Sequence, residues 1–86
     1  MEIKILGSGC SNCKRLHEAV LKAQKETGTD AQVIYVTDIE EIVKTGLMST
    51  PGLMINGSIK SMGRVPKQKE IKQMIADEKR RLEPIV

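Results

Sequence analysis

The sequence predicts a single α/β domain with its elements in the order β-α-β-α-β-β-α. Three observations predict it. Short β-branched runs alternate with segments in which apolar residues recur every three or four positions. An Asn-Gly pair separates the last two strand-like runs, the signature of a tight hairpin. The chain, at 86 residues, is long enough for one hydrophobic core and too short for two.

Residues 2–6, EIKIL, alternate so that Ile3 and Ile5 share one face of a strand, and Gly7 and Gly9 end it. Over 11–27, Leu16, Ala19, Val20, Ala23 and Thr27 recur at helical steps, while Lys14, Glu18, Lys22, Lys25 and Glu26 fall elsewhere. Gly28 stops this helix as a C-cap residue. Residues 32–36, QVIYV, read as a strand, and their nearly unbroken apolar character suits one covered on both faces. A short helix follows, capped by Thr37 with Glu40 or by Asp38 with Glu41, and ended by Gly46 after Val43. Pro51 stands at the entrance to a hairpin whose Asn56-Gly57 turn predicts a type I′ geometry, and Gly63 closes its second strand. Pro66 is placed as an early helical residue. Over 67–82, Ile71, Met74, Ile75 and Leu82 form an apolar stripe interrupted by Glu78. The domain is therefore expected over 1–82, with 83–86 as a short tail.

Composition narrows the function. The chain is 40% apolar and 29% charged, as in ordinary soluble domains. With one Tyr and no Phe or Trp, the core must be built from Ile, Leu, Val and Met. The same lack argues against single-strand nucleic-acid binding, which stacks bases on aromatic rings. The net charge of +3 is carried from Arg64 onward, where seven basic residues face four acidic ones. So small a charge, on what reads as a solvated helix face, implies no nucleic-acid partner. No segment is apolar enough to span a membrane, and the N-terminus lacks the pattern of a signal peptide. A cytoplasmic monomer with no membrane partner is expected.

Both cysteines lie in one stretch, GSGCSNCKRL at residues 7–16. In a reducing compartment a CxxC pair points to redox catalysis or metal binding rather than to a structural staple. Cys10 falls at the N-terminal edge of the first helix and Cys13 one turn in, so the sulfurs can meet. Unpaired N–H groups and the positive end of the helix dipole stabilise a thiolate there, with Lys14 and Arg15 adding positive charge. That makes Cys10 the attacking thiol and Cys13 the resolving one.

Metal binding is the rival, because two thiolates at this spacing clamp Cu(I) or Zn(II). A tetrahedral zinc site wants four ligands, and His17 is the only other strong ligand in the chain, although a ligand-bridged dimer would supply four sulfurs. Small metallochaperones with CxxC also end on a strand, whereas this chain ends on a helix. His17 reads as a proton relay to Cys13, as a third metal ligand, or as a residue pointing to solvent from the edge of the amphipathic face. A lone His at helical spacing carries little information, and the solvent reading is the simplest. A non-catalytic adaptor that keeps the fold for protein contacts is a third function class.

The segments GSGCSNC (7–13), TPGLMING (50–57) and MGRVPKQKEI (62–71), in that order, resemble the thioredoxin superfamily. The closer likeness is to the small thioredoxin-like and glutaredoxin-like redox-active disulfide proteins of archaea and bacteria, over roughly residues 1–76. The resemblance implies a four-stranded mixed sheet flanked by three helices. It implies a redox-active disulfide Cys10–Cys13 with Cys10 attacking, no further cofactor, no metal, and an active-site loop of Gly9, Ser11 and Asn12. It also implies a cis Pro51 across from the cysteines, pairing of the Thr50 backbone with an extended substrate, and room left near the site by Gly63. Partners would be protein disulfides and an upstream reductase.

The chain departs from the better-known relatives at several positions. Gly9 stands where thioredoxins carry Trp, Ser11-Asn12 where they carry Gly-Pro, and Lys4 where they bury a proton-accepting Asp. Met62-Gly63-Arg64-Val65 lacks the Gly-Gly-x-Asp segment with which glutaredoxins hold glutathione, leaving Arg64 as the one residue that could meet a glutathione carboxylate. Protein dithiol exchange is therefore expected over glutathione chemistry.

Overall fold

A computed structural model describes residues 1–82, apart from the side chains at 81 and 82, so the expected tail at 83–86 lies outside the described residues. The elements are β1 (Glu2–Leu6), α1 (Ser11–Thr27), β2 (Gln32–Val36), α2 (Ile39–Lys44), β3 (Gly52–Ile55), β4 (Ser58–Met62) and α3 (Gln68–Leu82). The strands form one sheet in the order β2-β1-β3-β4. β1 runs parallel to β2 and antiparallel to β3, and β3 runs antiparallel to β4. This is the mixed sheet with three helices that the resemblance implies.

Alternation along the central strands divides the core into two unequal parts. On one face Ile3, Ile5, Leu53 and Ile55 meet Leu16, Val20 and Ala23 of α1 and Ile71 and Ile75 of α3. On the other, Leu6 and Met54 meet Ile42 of α2 and Leu47 in a smaller cluster. One expectation fails here. QVIYV is not covered on both faces: β2 is an edge strand, with Gln32 exposed and the other four residues half-buried. Val33 leans on the larger cluster and Val36 on the smaller, each at its margin. The strand is apolar on both sides yet sits where the sheet runs out, beside a helix of only six residues.

Local chemistry sets the boundaries. Asp38 caps α2 by accepting the Glu40 N–H at 3.0 Å. Asn56 (φ 51°) and Gly57 (φ 84°) both take positive φ, so the hairpin turn is the expected type I′. Pro66 is not an early helical residue. It is buried just ahead of α3, and Lys67 takes the capping position, its carbonyl accepting from Ile71 N–H at 3.1 Å. The Glu70 carboxylate accepts from Lys67 N–H at 3.3 Å and from Arg64 Nη1 at 2.9 Å, which ties the loop before the helix to its first turn.

The interruption in the α3 stripe has a physical explanation. Glu78 is 4% exposed, and its carboxylate receives the Lys60 ammonium at 2.6 Å and the Asn56 side-chain amide at 3.4 Å. The register of β3 with β4 slips between Leu53↔Ser61 and Met54↔Ile59, leaving Lys60 as the extra residue of a bulge. A bulge re-aims its extra side chain, here onto α3. Asn56 also accepts the Glu2 N–H at 2.9 Å through Oδ1, so the hairpin tip, β1 and α3 meet in one polar cluster.

Lys60→Met removes the cation from a buried carboxylate. The expected loss, read from denaturant unfolding, is about 2 kcal/mol. That is below the roughly 3–5 kcal/mol of a fully buried pair, because the Lys60 side chain is 24% exposed and Asn56 still donates to Glu78. A second expectation concerns Glu26 of α1, which contacts Lys72 of α3 and lies 4.0 Å from Lys22. The hydrogen bond from Lys72 holds its carboxyl below the ordinary value of 4.5. A carboxylate lowered in the folded state stabilises above its unfolded pKa and loses that contribution as pH falls through the folded one. The small gap in thermal midpoint between the wild type and Glu26→Gln should therefore be widest near neutrality and close in acid.

Candidate functional site

The site is built at one end of β1. Gly7 follows the strand, and its N–H donates to the Val36 carbonyl at 3.0 Å, so the chain leaves the sheet still tied to β2. Ser8, Gly9 and Cys10 are exposed. Cys10 is the N-cap of α1, with extended backbone angles (φ −68°, ψ 166°). Its Sγ accepts the Cys13 N–H at 3.1 Å, and its carbonyl accepts the Lys14 N–H at 3.0 Å. A sulfur thus takes the place that a serine or aspartate oxygen usually holds at a helix start.

Cys10 and Cys13 are joined as a disulfide, with Cα atoms 5.0 Å apart. Their environments differ sharply. Cys10 is exposed on the rim, while Cys13 has no solvent exposure and faces the sheet. Its sulfur packs on the bare Cα of Gly7: a Cβ there would lie 2.9 Å from Cys13 Cβ and closer still to its Sγ. Ser11, Asn12, Lys14 and Arg15 are exposed around the pair.

A second loop completes the rim. The Thr50–Pro51 peptide bond is cis, with Thr50 exposed and Pro51 buried. The Pro51 carbonyl accepts the Gly63 N–H at 2.9 Å. Gly63 (φ 74°) comes so near this loop that a Cβ on it would lie 3.2 Å from Ser49 Cβ. Thr50, Pro51 and Gly63 are therefore brought together. Thr50 and Ser49 share one surface groove with Ser8, which precedes the cysteine loop, and with Ile39, Val43 and Met48.

Three residues weighed from sequence sit differently. His17 does not point freely to solvent. It is half-buried under α1, edge-on to the Tyr35 ring at 4.9 Å between centroids and 78° between planes. Tyr35 pairs with Ile5 in the register, which puts its ring on the α1 side. Lys4 alternates to the opposite face from Ile3 and Ile5 and lies 3.5 Å from Glu2. Arg64 is engaged with Glu70. Among the described residues no three His, Cys, Asp or Glu side chains gather where they could hold a metal, and the two sulfurs that would clamp one are bonded to each other.

Sequence reasoning missed the apolar rim. Ile39, Val43 and Met48 are 67%, 66% and 86% exposed and stand beside the groove. The signal was present in IEEIVKTGLM, where the apolar residues outnumber those a six-residue helix can turn inward.

A family model described as a thioredoxin domain matches residues 1–76. A protein named thioredoxin from Methanothermobacter thermautotrophicus is 40% identical over 76 residues, covering 88% of this chain and 99% of the relative. Another, from Methanocaldococcus jannaschii, is 39% identical over 71 residues, covering 83% of this chain and 81% of the relative. A probable thioredoxin of M. thermautotrophicus is 33% identical over 72 residues.

Proposed function

The chain belongs to the thioredoxin domain family, and from that membership and the bonded Cys10–Cys13 pair we infer a thiol–disulfide oxidoreductase in which Cys10 attacks and Cys13 resolves. The observation that carries the assignment of roles is the asymmetry of the two sulfurs. Cys10 is exposed and already receives a helix N–H, whereas Cys13 is buried. In the dithiol the same N–H and the helix N-terminus stabilise a Cys10 thiolate.

Cys10 attacks a substrate disulfide, forming a Cys10–substrate disulfide and releasing one substrate thiolate. Cys13 gives up its proton and attacks Cys10 Sγ, forming the Cys10–Cys13 bond and releasing the second substrate thiolate. Two electrons pass to the substrate, and the oxidised arrangement described above is the product. Protein disulfides are substrates and a reductase restores the dithiol, as the family implies.

We place the incoming chain on the rim formed by the Thr50–Pro51 backbone, with Gly63 keeping that side open, and Gly9, Ser11 and Asn12 bordering the exposed sulfur. The apolar side chains of Ile39, Val43 and Met48 continue this rim through the shared groove and offer a seat for apolar residues flanking the substrate's cysteine. The protein works as a monomer in a reducing cytoplasm, where a paired CxxC cycles instead of staying closed.

Insulin reduction driven by dithiothreitol tests the chemistry. Cys10→Ser should fall to the rate of dithiothreitol alone, and Cys13→Ser should retain substrate as mixed disulfides on Cys10. Trapping by Cys10→Ser instead would reverse the roles, and a Cys10→Ser variant as active as wild type would refute the mechanism. Met48→Lys tests the rim: KM for insulin should rise roughly tenfold with kcat nearly unchanged, since one buried apolar side chain is worth about 1.5–3 kcal/mol. An unchanged KM would remove Met48 from the docking surface.

A further inference from the structure

We propose that Gly7 is a positioning residue that sets the balance between the closed and open forms of the cysteine pair, by leaving room for the Cys13 sulfur that only the disulfide needs. This rests on the reading of Cys10 and Cys13 as a redox pair. A Cβ on residue 7 would meet two atoms of Cys13 that behave differently. It would lie 2.9 Å from Cys13 Cβ and nearer still to Sγ. Cys13 Cβ is held by the helix backbone whatever the redox state. Sγ is not. In the disulfide it is bound to Cys10 Sγ and must stay over residue 7. In the dithiol it is released to the other side-chain rotamer that a helix allows. An added methyl group therefore strains both forms and strains the disulfide more.

Neither partner can step aside cheaply. Gly7 is tied to β2 by its bond to the Val36 carbonyl at 3.0 Å. The first turn of α1 is held by the Cys13 N–H to Cys10 Sγ contact at 3.1 Å and by Leu16, which has no solvent exposure. Gly52 offers a contrast: a Cβ there meets the tips of the Leu47 side chain at 2.5 and 2.6 Å, atoms that can rotate away. At Gly7 the obstacle is the reacting sulfur itself. The bare Cα thereby favours the closed pair and makes the reduced protein a stronger donor of electrons.

The relevant equilibrium is disulfide plus dithiothreitol giving two cysteine thiols plus cyclic oxidised dithiothreitol, a transfer of two electrons and two protons. Wild type and Gly7→Ala are titrated in buffers of varying reduced-to-oxidised dithiothreitol ratio, and the thermal midpoint of each is measured fully oxidised and fully reduced. The variant should be half-reduced at a roughly tenfold lower ratio, a shift of about 30 mV toward more oxidising values. Its midpoint should fall further in the oxidised form than in the reduced form. An unchanged ratio, or equal losses in both forms up to failure of both to fold, would overturn the role of Gly7. A wild type that exchanges no electrons with dithiothreitol would instead overturn the redox pair on which it stands.

Discussion

Cys13 is buried because the chain places no side chain where its sulfur rests. The contact between that sulfur and Gly7 joins the end of β1 to the first turn of α1. Much of the site follows from this seating. With Cys13 facing the sheet, Cys10, three residues earlier, falls at the helix start, and there the Cys13 N–H meets its sulfur. In the bonded pair one sulfur is thereby turned outward at the helix N-terminus and its partner is kept from solvent. The proposed order of attack rests on that difference.

The two ends of the sheet do different work. At the end carrying Gly7, Gly52 and Met62, loops join strands to helices and leave Cys10 and Thr50 exposed. At the other, the Asn56 turn, the Glu2 backbone and the Lys60–Glu78 pair fasten hairpin, first strand and last helix together. Charged groups inside a small protein are costly unless satisfied, and here each finds its partner across elements distant in sequence.

Much of this was legible in the chain. The strand–glycine–CxxC–helix order and the Asn56-Gly57 turn rest on local backbone chemistry, and the structure reproduces both; the cis Thr50–Pro51 bond is implied by the family resemblance and not by the local residues. What escaped was set by long-range pairing. The edge position of β2 depends on strand order, which hydrophobicity does not encode when a strand is apolar on both sides. The bulge that turns Lys60 toward Glu78 depends on a register between β3 and β4. The T-shaped contact of His17 depends on which β2 residue lies opposite Ile5. Gly7 read as a turn residue, and its role as the floor beneath Cys13 appears only when the helix is laid on the sheet.

The chain has one tyrosine and no tryptophan or phenylalanine, and it folds that tyrosine against His17 on the helix that carries both cysteines. Its ultraviolet emission therefore has a single origin, a ring packed on His17, which follows the buried Cys13 by one turn of α1. A change in how α1 sits on the sheet alters the surroundings of that one ring with no other aromatic signal to obscure it. The molecule carries its own optical gauge of the helix that performs its chemistry.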